Sequence, residues 1–229
     1  MKIIVGSGRL ASMLLTVLKK GENMYVFGRN EQTVDSLLQQ FSYVEKATPQ
    51  DLSKATELFL CLPKSGYSDF LQRFARSLRN DVTIFHMATV VNEEEVKSLS
   101  DNKKVVPLKL AGHAKIVKRE ARGLFVLAPH HKEEQSRLRE WFPTMQIELA
   151  EESTVLLANQ LATEAAIQMS VLLSKEMTAH QIPTAIQKQT FDQTVHGVID
   201  AYQSNDLGGF ARKIAEQLKE KGGERNENG

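Results

Sequence analysis

The first thirty residues, MKIIVGSGRLASMLLTVLKKGENMYVFGRN (1–30), place two glycines directly after a short apolar run. Glycine interrupts a strand and costs conformational entropy, so Gly6 and Gly8 indicate a place where the backbone needs a special shape. The run Lys2–Val5 predicts a buried strand, and Leu10–Lys19 has the spacing of an amphipathic helix. The stretch therefore predicts a glycine turn between a strand and a helix.

The same alternation of strand and helix continues through the first half of the chain. Continuous apolar runs, which suit a sheet covered on both faces, lie at Lys2–Val5, Met24–Phe27, Leu58–Leu62, Val82–His86, Val105–Leu108, Gly123–Leu127 and Met145–Leu149. Helical spacing separates them at Leu10–Lys19, Glu31–Gln40, Ser68–Leu78, Glu93–Leu99 and around Leu138 and Trp141. Repeated strand–helix units predict an α/β fold with a doubly wound parallel sheet.

Residues 6–11, GSGRLA, fit the G-x-G-x-x-A pattern of dinucleotide-binding Rossmann units. In that unit the first glycine allows the tight turn, the second lets a pyrophosphate approach the backbone, and the small third residue lets the helix pack closely. The helix that opens near Gly8 would aim free N–H groups at the phosphates. An ordinary glycine turn is the alternative. We expect coenzyme contacts from Gly6, Ser7, Gly8, Arg9 and Leu10.

The end of the second predicted strand indicates which dinucleotide is preferred. An NAD site usually carries Asp or Glu about 20 residues past the glycines. Here Gly28 is followed by Arg29 and Asn30, so no carboxylate repels a 2′-phosphate and the guanidinium of Arg29 can pair with one. The sequence predicts NADP(H), with NAD as the alternative coenzyme and a solvated loop arginine as the alternative role for Arg29.

Composition excludes several partners. The formal net charge of the 229-residue chain is +1, with 41% hydrophobic and 25% charged residues, which is typical of a soluble globular protein that binds neither nucleic acid nor an anionic membrane. There is no run of about 18 apolar residues and no signal-peptide pattern at the start of this sequence. The single cysteine, Cys61, lies in an apolar run. A reducing, cytoplasmic setting is the expectation.

The pattern changes near Glu151, where a long helix is predicted that must end before Pro183. Its apolar surface is wide enough to need partners on more than one side. We expect a Rossmann domain over residues 1–150, a helical domain over 151–220 that forms a homodimer, and a disordered tail over 221–229.

Six segments together resemble the pyrroline-5-carboxylate reductase family, within the wider group that includes the 3-hydroxyacid dehydrogenases. They are IVGSGRLASMLL (4–15), VFGRNEQTVDSL (26–37), LFLCLPKSGYSDFLQRF (58–74), TIFHMATVVNEEEVKSL (83–99), KKVVPLKLAGHA (103–114) and the stretch 172–202. The resemblance implies a Rossmann fold, a nicotinamide coenzyme and dimerisation through the helical region. The family's Ser/Gly/Pro-rich substrate signature is replaced by LLANQLATEAA (156–166), so reduction of pyrroline-5-carboxylate itself is not implied.

Residues just past strand ends are the candidates for chemistry, because ligands of open α/β sheets lie beyond the carboxyl ends of the strands. Leu62, Pro63 and Lys64 would border the coenzyme, although Lys64 is equally a candidate surface charge. Lys109 and His113 flank Gly112 in the loop expected to face the nicotinamide, where either could protonate the product. Asn159, on the long helix, could anchor a substrate carboxylate or carbonyl, or pack within a dimer.

Three further histidines, His86, His130 and His131, have a structural role as one possible reading. His86 closes a strand and could donate a proton, but a hydrogen-bonded structural histidine is an equal reading. His130 and His131 are adjacent and are expected to point apart without acidic company, so no metal site is predicted there. The sequence as a whole predicts an NADP-dependent oxidoreductase acting on a small C=N or C=O substrate. A catalytically inactive dinucleotide-binding sensor or scaffold is the alternative.

Overall fold

The computed structural model describes the backbone of residues 1–226 and the side chains of residues 1–220. The described residues form eight strands, β1 (Lys2–Val5), β2 (Met24–Phe27), β3 (Val44–Lys46), β4 (Glu57–Leu60), β5 (Thr83–His86), β6 (Lys104–Ala111), β7 (Gly123–Leu127) and β8 (Met145–Leu149). The α-helices are α1 (Arg9–Val17), α2 (Glu31–Gln40), α3 (Lys64–Phe74), α4 (Glu93–Leu99), α5 (Ala114–Glu120), α6 (Gln135–Trp141), α7 (Glu152–Ala179), α8 (Thr184–Gln189), α9 (His196–Gln203) and α10 (Gly209–Asn226).

The strands form one sheet in the order β3-β2-β1-β4-β5-β6-β7-β8. The α/β fold with a doubly wound sheet is therefore confirmed. The expectation of uniformly parallel strands is wrong at one place, since β7 runs antiparallel to β6 while β8 runs parallel to β7. The connection over residues 112–122 is shorter than the dozen or more residues that a parallel crossover usually needs.

The third strand was not predicted from the sequence. Val44–Lys46 has three residues, only the first of which is buried, and it pairs with β2 at the edge of the sheet. A strand this short has no apolar run or alternation that could announce it. Its pairing is decided by its neighbour in the sheet.

Both faces of the sheet are covered, as the continuous apolar runs predicted. On β1, Ile4 packs into the core on one face while Ile3 and Val5 pack into the core on the other, and all three are buried. Cys61 is buried as well, with its Sγ 3.8 Å from Sδ of Met87. Because both faces of the sheet are buried, a ligand can reach the ends of the strands but not the faces of the sheet.

The chain divides into two compact units, the first over Met1–Ala162 and the second from Thr163 onward. The boundary lies within α7. The described part of the second unit consists of the rest of α7 with α8, α9 and α10, and a π-helical turn at Thr190–Val195 joins α8 to α9. Helix α10 runs to Asn226 and so includes the start of the tail predicted over 221–229. Residues 227–229 of that tail lie outside the described residues.

Candidate functional site

The turn after β1 needs glycine at its first position. Gly6 has φ +110° and its N–H donates to the carbonyl of Phe27 over 2.8 Å. A Cβ at this position would lie 2.4 Å from the carbonyl oxygen of Cys61. Both the positive φ and this contact exclude a side chain, so Gly6 is required by the protein's own fold.

Gly8 differs from Gly6 because no contact among the described residues requires it to be glycine. It has φ −87° and ψ −164°, an extended conformation open to any residue, and it precedes α1 as its N-cap. A Cβ on Gly8 would meet no atom within 4 Å. No side chain in the described part of the chain caps α1, so the first N–H groups of this helix are available beside the open space. The position therefore has the properties of a backbone cradle for an anionic group.

The glycine turn opens into a cavity of about 690 Å³, here called the glycine-turn cavity. Seven of the predicted coenzyme contacts line it, namely Gly6, Ser7, Gly8, Arg29, Asn30, Leu62 and Pro63. The prediction for Lys64 is different, since its side chain does not line this cavity but forms an ion pair with Glu95 over 3.3 Å. Lys64 is the first residue of α3, and its side chain points toward α4. This position favours the alternative interpretation of Lys64 as a surface charge.

Two arginines, rather than the one predicted, line the glycine-turn cavity. Arg29 follows the end of β2, and Arg73 lies on α3. The Arg29 side chain is 80% exposed and its Nη1 lies 3.8 Å from Oδ2 of Asp69. Arg73, one helical turn beyond Asp69 on α3, also borders the cavity. Asn30 caps α2 by accepting a hydrogen bond from the Thr33 N–H over 3.1 Å, so its side-chain oxygen has a structural role.

Sequence reasoning missed Asp69 and Arg73. They lie four residues apart on α3 and share a helix face with Gly66 and Phe70, which also border the cavity. The signal was present in the i, i+4 spacing. It could be used only with the knowledge that this face of α3 lies opposite the end of β2.

A second cavity of about 460 Å³, the His113 cavity, adjoins the first. Both cavities are lined by Gly8, Cys61, Leu62 and Pro63. The remaining predicted coenzyme contacts, Arg9 and Leu10, lie here together with His113 and Lys115. Its described lining residues include no carboxylate. The His113 cavity is therefore electropositive and brings an exposed imidazole next to the glycine turn.

Asn159 holds the turn that carries His113. Its Nδ2 donates to the carbonyl of Leu110 over 2.9 Å, and its Oδ1 accepts from the Gly112 N–H over 3.1 Å. Gly112 has φ +131°, so the turn depends on glycine as well. The structure thus gives Asn159 a positioning role toward the His113 turn. The prediction that its amide anchors a substrate stays untested.

The expectation that Lys109 faces the nicotinamide from a loop is wrong. Lys109 lies within β6, 1% exposed, and its Nζ donates to the carbonyls of Ala88 and Val91 over 2.6 and 2.7 Å. The same Nζ lies 3.0 Å from Oε2 of Glu152 and 3.1 Å from Nδ1 of His86. Burial lowers the pKa of Lys109. Two carbonyls and a carboxylate surround its ammonium group. Its role is to join β5, β6 and the start of α7.

His86 belongs to the same buried cluster. Its ring is fully buried, and Nε2 lies 3.6 Å from Oε2 of Glu152. Burial, followed by the nearby charge of Lys109, lowers the pKa of His86 to about 3. The imidazole is therefore neutral at physiological pH, which supports the structural reading over the proton donor.

The expectation that His130 and His131 point apart without acidic company is also wrong. Nε2 of each ring lies 2.9 Å from a different oxygen of the same carboxylate, that of Glu93. The backbone kinks at His131, with φ −110° and ψ 21°, inside the 3-10 turn Pro129–Glu134. This kink lets two adjacent side chains converge where a regular helix or strand would separate them.

Similarity to known proteins is found at the level of structure only. No family model and no curated protein matches the chain. A pyrroline-5-carboxylate reductase from Coxiella burnetii matches with a TM-score of 0.68 and 12% identity, over 98% of this chain and 91% of that chain. An imine reductase from Myxococcus stipitatus in complex with NADP+ matches with a TM-score of 0.58 and 17% identity, over 90% and 78%. A variant of that enzyme in complex with NAD+ matches with a TM-score of 0.60 and 16% identity, over 99% of this chain and 87% of that chain.

These likenesses establish the fold of the chain as that of Rossmann-type reductases. The resemblance to the pyrroline-5-carboxylate reductase family is confirmed in that respect.

Among the described residues one helix, α7, is long and apolar enough by length and composition to cross a membrane, with a mean hydropathy of 1.2. A single helix of this kind is weak evidence for a membrane span.

Proposed function

We propose that the chain is an NADP(H)-dependent oxidoreductase that transfers a hydride between the nicotinamide and a small C=N or C=O substrate. The observation that carries the proposal is Gly8. Its backbone conformation tolerates a side chain and a Cβ would touch nothing within 4 Å, yet the position is glycine beside the uncapped end of α1. A group from outside the chain accounts for such a residue, and a pyrophosphate has the right charge and size.

The residues of the two cavities divide the work between binding and proton transfer. When bound, the coenzyme supplies or accepts the hydride. Leu62 and Pro63 form a wall common to both cavities. His113, exposed in the electropositive cavity, can give a proton to the nitrogen or oxygen of the reduced substrate. Lys109 takes no part, since its ammonium group is buried and bound.

The preference for NADP(H) rests on the charges at the end of β2. Arg29 and Arg73 both border the glycine-turn cavity, and the strand end itself carries no carboxylate. Asp69 is the opposing charge, but its oxygen lies 3.8 Å from Arg29 and both side chains are largely exposed. A pair so exposed is weak and can yield to a 2′-phosphate, which pairs with a guanidinium through two hydrogen bonds.

Thermal-shift titration with NADPH, NADP+ and NADH tests the proposal. We expect the largest stabilisation from NADPH, followed by NADPH consumption with a member of a panel of cyclic imines, imino acids and oxo acids. Failure of all three coenzymes to raise the melting temperature would refute it. Binding with no turnover of any panel member favours the second candidate function.

That second candidate is a dinucleotide-binding sensor or scaffold without catalysis. It is favoured by the bonds that occupy two of the three predicted catalytic groups, Lys109 and Asn159. A sensor would bind NADPH tightly without turnover, and its affinity for a protein partner would change with coenzyme occupancy. Affinity capture performed with and without NADPH measures that change.

We further propose that a second copy of the chain covers the apolar surface of the helical region, and that the protein works in a reducing compartment such as the cytoplasm. Val171 and Leu172 on α7 are 63% and 62% exposed, and Phe210 on α10 is 82% exposed. Apolar exposure on this scale is typical of an interface. Light scattering should give a dimer, which Leu172→Glu should dissociate while Ser174→Glu, at an exposed polar position nearby, should not. A monomeric wild type would refute the dimer.

A further inference from the structure

The three groups that converge at Glu93 have the composition of a metal site. The carboxylate of Glu93 meets Nε2 of His130 and Nε2 of His131, and the three ligand atoms lie within 4.8 Å of one another. None of these residues lines the glycine-turn cavity or the His113 cavity. We propose that Glu93, His130 and His131 bind one divalent transition-metal ion of the Zn²⁺ type.

The donor chemistry selects this class of ion. The two imidazole nitrogens are borderline ligands and the carboxylate oxygen is a hard one. Zn²⁺, Co²⁺ and similar ions accept this mixed set, whereas Mg²⁺ and Ca²⁺ prefer oxygen alone. Three protein ligands leave a fourth position of a tetrahedral ion for water. Water has access from the side of His130, which is 57% exposed, while Glu93 and His131 are 8% and 10% exposed.

Only small movements are needed to admit the ion. Each Nε2–oxygen pair is now 2.9 Å apart. Tetrahedral coordination at ordinary bond lengths would widen each pair by about 0.5 Å. The residue that supplies the carboxylate is held at its backbone, because the Glu93 N–H donates to Oε1 of Glu152 over 3.0 Å.

The ammonium group of Lys97 competes with a metal ion for the carboxylate of Glu93. Nζ of Lys97 lies 2.8 Å from Oε1 of Glu93, on the oxygen that also faces His131. The Lys97 side chain is 44% exposed, and its Nζ lies 3.4 Å from Oε1 of Glu94. The ammonium group can therefore transfer to Glu94 when a metal ion occupies the carboxylate. Removal of the Lys97 charge should therefore strengthen metal binding, which can be tested.

Isothermal titration calorimetry of the chelator-treated full chain with ZnCl₂ alone tests the site. We expect one ion per chain, with affinity reduced at least about 10-fold by His131→Ala or Glu93→Gln. His196→Ala, at an exposed histidine on α9, should leave the affinity unchanged. Lys97→Met retains all three ligands and should tighten binding, because it removes the competing charge.

Spectroscopy with Co²⁺ gives a second readout that is independent of coenzyme binding and turnover. Bound Co²⁺ should show the intense visible bands of tetrahedral coordination, and His130→Ala should weaken them. Equal zinc affinity of wild type and His131→Ala, or weaker binding by a folded Lys97→Met variant, would overturn the proposal and leave the cluster as hydrogen bonds alone.

Discussion

The side-chain amide of Asn159 bonds to the backbone on both sides of Ala111, donating to Leu110 and accepting from the Gly112 N–H over 3.1 Å. Asn159→Ala removes both bonds and leaves the carbonyl and N–H without this partner. We expect a loss of about 1–3 kcal/mol in the free energy of unfolding and faster amide exchange at Gly112. Denaturant unfolding and hydrogen exchange measure the two effects. Gln160→Ala, at the exposed neighbouring position, should change neither, and unaltered exchange in Asn159→Ala would contradict the clamp.

Substitution of the two glycines separates folding from coenzyme binding. Gly6→Ala should destabilise the chain by about 1–3 kcal/mol, because the side chain meets a positive φ and the Cys61 carbonyl. Gly8→Ala should change stability by less than about 1 kcal/mol, since its conformation is ordinary and the space is open. It should weaken NADPH binding roughly 5- to 100-fold by filling the cradle. Calorimetric titration would count against the cradle if Gly8→Ala bound NADPH like the wild type.

Arg29→Ala should discriminate between the two coenzymes. Loss of the guanidinium removes a charged partner of the 2′-phosphate, worth about 1.5–3 kcal/mol, so NADPH affinity should fall roughly 10- to 150-fold. NADH affinity should stay the same. Fluorescence titration of both coenzymes checks the difference, with Arg76→Ala as a control because that arginine borders neither cavity. Equal losses for NADPH and NADH would contradict the phosphate contact.

Lys109 and His113 should fail in different assays. Lys109→Met leaves Glu152 without its buried partner and should cost about 3 kcal/mol of stability. His113→Gln, at an exposed turn, should leave stability within about 0.5 kcal/mol but lower turnover of an accepted substrate roughly 100-fold. Parallel denaturant unfolding and NADPH-consumption assays compare them. A stable, inactive Lys109→Met beside a fully active His113→Gln would reverse the two assignments.

The buried ring of His86 should make stability depend on pH. Its pKa falls to about 3 in the folded protein from 6.5 in the unfolded chain, so between these values the unfolded chain holds the additional proton. Stability contributed in this way is present above pH 6.5 and is lost as the pH falls, with a limiting slope of about 1.4 kcal/mol per pH unit. The charged or titratable groups described around the ring are Lys109, Glu152, Glu93, His131 and Tyr67, whose ring packs edge-on against the imidazole.

Urea unfolding between pH 6.5 and pH 5.5 measures this contribution while most carboxylates stay ionised, since the range ends one unit above the ordinary glutamate pKa of 4.5. His86→Gln should flatten the slope over that range, whereas His180→Gln, at an exposed position, should preserve it. Identical slopes for wild type and His86→Gln would show that the ring is protonated in the folded protein.

The parts of the fold predicted correctly are those that local pattern encodes. The run Lys2–Val5, the glycine turn and the helix after it carry their signals within a few residues of one another, and the structure has them at those places. Val44–Lys46 lacked such a signal because an edge strand of three residues gains its stability from pairing. The direction of β7 relative to β6 likewise depends on the path of the connection in space rather than on its composition.

In the candidate site, too, the residues predicted correctly from local pattern differ from those whose position depends on tertiary packing. The glycine turn, Arg29 and the residues after β4 were predicted from spacing, because the carboxyl ends of parallel strands share one edge of the sheet. The structure places all of these except Lys64 around one cavity. Arg73 and Asp69 were missed, since their place beside Arg29 follows from packing between elements far apart in sequence. Lys109 was misplaced because a polar residue in an apolar run looks like a loop residue until its partners are known.

The sequence by itself determined the α/β architecture and the glycine turn, because strand and helix periodicity and the conformational freedom of glycine act over a few neighbouring residues. Only the tertiary structure decided which charges meet. Lys109 found Glu152 and the carbonyls of the 88–91 loop, and Glu93 found two histidines 37 and 38 residues away. Electrostatic and hydrogen-bond partners are chosen by distance in space, which the chain's folded path sets and its linear order does not.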